Sequence, residues 1–180
     1  MIGKVEALHS SPSHSLKKET TSSLEIIKGL GVKGDAHMGA KIKHVYRVRK
    51  DPNEPNLRQV HIIHAELFDE LKTKDFDISF GEMGENITCS GLDILSLPTD
   101  TELQMGASTR LKVTGLRNPC AQLDSIKKGL MKACLDRNQS GEMIPKVGIM
   151  TIVLEGGIIN QGDEIKVVFP PEPHRKLEAV

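Results

Sequence analysis

The chain has 180 residues, with 24 Lys plus Arg against 24 Asp plus Glu, no Trp, one Tyr and four Phe. This length suits a single domain over residues 1–180, with a core over about 1–170 and a charged tail over 171–180. The charge balance lacks the basic footprint of a nucleic-acid binder or of a polybasic membrane contact, and so few aromatics exclude recognition by base stacking. Three cysteines without close pairing, no long apolar start and no run able to span a bilayer predict a reduced, cytoplasmic protein without membrane contact.

Residues 3–9 alternate polar and apolar side chains like a first strand, and the polar loop 10–15 breaks it. After a short apolar return at 24–27, residues 29–39 form a glycine-dense turn carrying Lys33, Gly34, Asp35 and His37. Glycines there serve an anion or cofactor loop and an ordinary tight connection equally well. The spacing matches neither a dinucleotide nor a Walker fingerprint. Residues 44–56 are basic and then proline-rich, with Arg47, Arg49, Lys50, Pro52 and Pro55, and read as a solvated excursion. A strand is predicted over 57–64, followed by a helix over 65–72 from the spacing of Leu67, Phe68 and Leu71. His61 and His64 fall on opposite faces of that strand, with no acidic or cysteine partner at a zinc-site spacing, so zinc is not expected.

Residues 81–86 read as a shaped turn in which Glu85 and Asn86 hold neighbouring backbone or a ligand, leading into a strand at 86–89. A short apolar segment at 103–106 precedes the strand 109–114. The stretch Gly115-Leu116-Arg117-Asn118-Pro119-Cys120 then runs from that strand into a loop. Pro119 has no N–H to continue a ladder and biases Asn118 towards extended geometry. A cysteine just beyond such a stop sits at a rim, where Arg117 favours the thiolate; a small buried hydrophobe is the other reading. Residues 125–138 carry Ile126, Leu130, Met131, Cys134 and Leu135 as the stripe of an amphipathic helix, with Cys134 packed and inert. Two more strands are expected at 148–157 and 164–169, joined through Gly162-Asp163, before Pro170, Pro171 and Pro173 close the fold. Many short strands with glycine turns and few helices predict a mainly β protein with a closed or partly closed barrel.

Taken in order, Gly34-Asp35, Arg58-Gln59-Val60, Gly84-Glu85-Asn86-Ile87-Thr88 with Gly91-Leu92-Asp93, Asn118-Pro119-Cys120, and Gly156 with Gly162-Asp163-Glu164 resemble the MOSC family, the domain at the C-terminus of molybdenum cofactor sulfurases. The resemblance spans nearly the whole chain. It implies a pyruvate-kinase-like β-barrel with a few peripheral helices, a molybdenum–pterin cofactor, and a cysteine, matched by Cys120, that carries sulfur as a persulfide or coordinates molybdenum. Lys33, Gly34, His37 and Arg58 are candidates for the cofactor's phosphate; Asp35, Glu85, Asn86 and Asn118 occupy further matched positions, and Arg117 is a further candidate cofactor contact and the nearest group to tune the Cys120 thiol. After Gly34-Asp35 the chain reads Ala36-His37-Met38, where relatives often carry more basic residues.

The resemblance further implies a sulfur carrier, or a component that supports reduction of N-oxygenated compounds. The desulfurase domain of large sulfurases and the electron-transfer module of reductases are not seen in the sequence. Pyridoxal phosphate is therefore expected only on a separate cysteine desulfurase partner, and any reductant on a separate electron-transfer protein. Two other classes stay open: a non-catalytic module that stores or delivers the cofactor, and a metal-free thiol enzyme.

Overall fold

The computed structural model describes residues 1–43, 51, 53–137 and 141–180. In chain order its elements are β1 (Ile2–Ser10), β2 (Glu19–Thr21), β3 (Ser23–Ile27), β4 (Gly31–Val32), β5 (Val60–His64), helix α1 (Glu66–Thr73), β6 (Ile87–Ser90), β7 (Glu102–Met105) and β8 (Thr109–Leu116). Helix α2 (Leu130–Ala133), β9 (Leu135–Arg137), β10 (Met143–Pro145), β11 (Ile149–Glu155), β12 (Gly157–Asn160) and β13 (Glu164–Val168) follow. Strands pair in the order β13-β7-β8-β11-β5-β6-β1, and β1 returns to β13 through Ile2 against Lys166 and Lys4 against Glu164, so the sheet closes on itself as a barrel. β2 hangs from β1, and β12-β3-β4 form a small separate sheet.

Alternation along the strands decides which side chains fill the barrel. On β8, Thr109, Leu111, Val113 and Gly115 are buried while Arg110, Lys112 and Thr114 are half-buried. Leu8, Ile62, Ile87, Leu103, Leu111, Ile149 and Ile165 meet in the interior cluster. Ile63 points the other way and joins Leu67, Phe68, Leu71, Met83, Leu123, Leu130 and Val147 in a second cluster, outside the barrel and under α1. Burying each such side chain stabilises the fold by about 1.5–3 kcal/mol.

The pairing of β5 with β6 is parallel. Parallel neighbours need a crossover, here supplied by α1 and the connection after it. That connection ends in the turn that delivers Glu85 and Asn86 between β5 and β1.

Several expectations change. The strand predicted from residue 57 begins at Val60. The helix predicted over 125–138 is broken: residues Ala121–Ser125 form a 3-10 turn, α2 spans Leu130–Ala133, and Leu135–Arg137 is a strand paired with β10. Gly129, with φ of 92°, interrupts the helical path, while Leu130 and Cys134 still reach the second cluster. Residue 138 lies outside the described residues. Where two strands were expected beyond residue 148, three occur, because β12 leaves the barrel to pair with β3. Of the excursion 44–56, Arg47, Arg49, Lys50 and Pro52 lie outside the described residues, but Asn56 is buried rather than solvated. Within the charged tail 171–180 one residue, Leu177, is buried and joins the barrel's cluster.

Candidate functional site

At the end of β8 the last ladder bond runs from Arg117 N–H to Gly148 O, 3.0 Å. Pro119 then turns the chain, and Cys120 starts the 3-10 turn, accepting from Leu123 N–H at 3.0 Å. The half-buried thiol faces a cavity of about 300 Å³. Of the candidate site residues named from the sequence, His37, Arg58, Asn86, Arg117, Asn118 and Cys120 line it.

The Asp35 carboxylate lies beneath the wall and is saturated by protein donors. Lys18 Nζ donates to Oδ2 at 2.6 Å, joined by Asn86 Nδ2 at 3.0 Å and Ser11 N–H at 3.3 Å. On Oδ1, His37 donates from its backbone at 2.9 Å and from Nδ1 at 3.2 Å. Burial works against this carboxylate, but the bonds from His37 and the ion pair with Lys18 outweigh it and hold its pKa well below the usual range. Asp35 thus orients Lys18 and His37, both of which line the cavity.

Asn86 ties three elements together. Its Oδ1 accepts from His61 N–H at 3.2 Å, and its Nδ2 donates to His9 O at 3.2 Å as well as to Asp35. Glu85 sits behind, fully buried, accepting from Gly81 N–H and from Thr88 Oγ1, and burial pushes its pKa up.

Arg117 is buried and its Nη1 has no hydrogen-bond partner among the described residues. Burial lowers its pKa, opposed by the nearby Cys120 and Glu85, yet a guanidinium stays charged. Lys18 is also lowered, by burial first, with Asp35 opposing and Arg117 reinforcing the fall. His61 Nε2 donates to Val147 O at 2.7 Å, and burial followed by Arg117 keeps the ring neutral.

Lys33 and Gly34 do not reach the cavity. Lys33 pairs with Glu25 at 2.7 Å on the exposed surface. In its place the structure brings in Lys18, His14, Asn56 and His61, none of them selected from the sequence as a cofactor-site residue. His14 meets His37 edge to face at 5.0 Å between ring centroids. Asn56 donates to His37 O at 3.1 Å and Gly39 O at 2.9 Å. The other cysteines are shielded: burial pushes Cys89 up to about 12 and Cys134 up to about 11. Among the described residues no group of His, Cys, Asp and Glu is arranged to hold a metal by itself.

The family model of the MOSC domain matches residues 35–166, the span that carries Asp35, Asn86 and Cys120. The chain belongs to the MOSC family. MOSC domains are associated with the molybdenum cofactor. Among solved structures, the YuaD protein from Bacillus subtilis is similar with a TM-score of 0.78 and 24% identity, covering 95% of this chain and 98% of that one. YiiM from Geobacillus stearothermophilus gives 0.65 and 18%, covering 92% and 75%, and YiiM from Escherichia coli gives 0.64 and 16%, covering 97% and 73%. At these identities the likeness establishes a shared MOSC fold alone. No curated protein sequence matches the chain.

Proposed function

We propose that this MOSC domain binds a molybdenum–pterin cofactor in the cavity, with Cys120 as thiolate donor to the metal, and supports reduction of small N-oxygenated compounds. One observation carries the reading: Cys120 shares a cavity with a buried guanidinium whose Nη1 has no protein partner among the described residues. A soft thiolate suits molybdenum, and a metal already held by its organic ligand requires little more from the protein. Arg117, with Arg58 and Lys18 on the same wall, would hold the anionic parts of the cofactor through charge-assisted bonds. When bound, the cofactor supplies the electron exchange with substrate.

The chain's own residues supply the rest. Removing oxygen from nitrogen consumes protons as well as electrons, and the Lys18 ammonium, oriented by Asp35, is the donor placed at the cavity wall, with the His37 ring fixed beside it by its bond to Asp35. Leu16, Ile42, Met150 and Val180 give the cavity apolar walls that limit water around the thiol. Electrons would come from a separate protein. In the sulfur-carrier role the Cys120 thiolate would attack the outer sulfur of a persulfide on a separate desulfurase, whose cysteine leaves as thiolate, and retention of a persulfide on Cys120 would favour that role.

The test is metal and pterin content of protein purified from a molybdenum-replete host. Wild type should retain both, Cys120→Ala should lose most of the molybdenum, and Arg117→Ala should lose pterin as well. Equal molybdenum in wild type and Cys120→Ala would sink the ligand role. Bound cofactor without turnover in the presence of a reductant would leave a storage module.

A further inference from the structure

The segment 175–180 lies along the barrel where β7 stops covering β8. β7 pairs with β8 from Thr109 to Lys112, and beyond it Leu116 N–H donates to Glu178 O at 2.7 Å while Val180 N–H donates to Leu116 O at 3.2 Å. Leu116 and Ala179 form a parallel bridge. Upstream the segment is fixed by Thr99 N–H donating to Arg175 O at 2.9 Å and by the buried Leu177. Past Leu177, Glu178 and Ala179 are exposed and Val180 is half-buried, so the tip rests on the bonds to Leu116. Val180 also lines the cavity that holds Cys120, with its side chain packed against Gly115.

Gly115 makes room for this arrangement. A Cβ there would collide with Glu178 O and with the Val180 side chain. Glycine in a strand interior weakens the strand and marks a place where another backbone comes close.

We infer that residues 178–180 are a specificity-determining wall of the cavity, with Val180 setting the cross-section of the molecules that reach the Cys120 thiol. The inference does not depend on which cofactor the cavity takes. The wall admits small thiol-directed ligands and excludes bulky ones. Displacing residues 178–180 widens the cavity on that side and replaces no atom of Cys120, Arg117 or Lys18.

The test uses the full chain without cofactor, and reads alkylation of Cys120 by mass spectrometry with iodoacetamide as the small probe and pyrenyl maleimide as the bulky one. Rates are normalised to N-acetylcysteine, with Cys89 and Cys134 as shielded references. Val180→Gly and Gly115→Ala should each raise the bulky-probe rate about tenfold while changing the iodoacetamide rate by less than about twofold, a size effect of the order expected for altered pocket volume. Val180→Trp should slow both probes. Hydrogen exchange at the Leu116 amide should be slow in wild type and faster in Gly115→Ala, reporting that the tip has moved. If Gly115→Ala fails to fold, the Val180 pair decides alone. An unchanged ratio of the two probe rates across Val180→Gly and Val180→Trp, both folded, overturns the inference.

Discussion

His9 is fully buried on β1, with Thr20 Oγ1 3.3 Å from Nδ1 and Thr88 Oγ1 3.5 Å from Nε2. Burial, with a further push from Lys18, lowers its pKa from 6.5 to about 4. Between those values the unfolded chain takes up the proton and the folded one refuses it. Stability is therefore complete above the unfolded value of 6.5 and falls as the pH drops towards about 4. The loss is on the order of 3 kcal/mol. His61, lowered in the same sense, adds to the slope. Thermal melts from neutral to acid pH should show wild type losing stability through this window and His9→Gln losing less; parallel curves would remove His9 from the account. Asp35 acts lower down, since a depressed carboxylate loses its contribution only as pH falls below about 4, the unfolded value. At this scale the sequence was informative where a residue's type dictates its place: Asn86 in a turn, Cys120 after a proline. It was silent about Lys18. Its neighbour Lys17 is exposed and pairs with Glu82 at 3.3 Å, while Lys18 is buried against Asp35 at 2.6 Å. Nothing local separates two adjacent lysines; only the fold of the serine loop onto the 81–84 turn does.

The elements were legible where one period dominates. α1 shows its apolar stripe plainly, and Leu67, Phe68 and Leu71 are buried as that spacing requires. Leu71→Ala should cost about 2–5 kcal/mol in urea unfolding, through lost transfer energy and the cavity left behind. A cost near zero would mean that α1 covers the second cluster only loosely. The segment 125–138 misled for a physical reason. Its apolar residues are spaced as on a helix, and most are buried or half-buried, but the same contacts are reached by a 3-10 turn, a short helix and a strand. Periodicity reports which side chains go inside, not which backbone carries them there. The strap at 175–180 was hidden similarly, because Leu177 stands between Lys176 and Glu178 with no strand or helix period around it, and its partner surface is created only by the barrel.

The barrel as a whole is closed by strands distant in sequence, with Ile2 against Lys166. Mainly β character followed from the many short alternating runs between glycine turns, whereas pairing order did not, since such strands permit many closures. Such non-local pairing predicts refolding in milliseconds to seconds rather than microseconds, which stopped-flow mixing measures directly; microsecond refolding would point to a nucleus of local contacts instead. Closure also gathers the serine loop, the glycine turn, the 81–86 turn and the Cys120 loop at one cavity, so the site exists only once the sheet is complete. The strap carries a consequence for anything joined after Val180. Such an addition would issue beside the cavity mouth, tethered at an effective concentration of about millimolar for a short flexible link. A bulky or thiol-directed group carried there would be held within reach of Cys120, whereas the same group on Ile2 would sit at the β1–β13 seam.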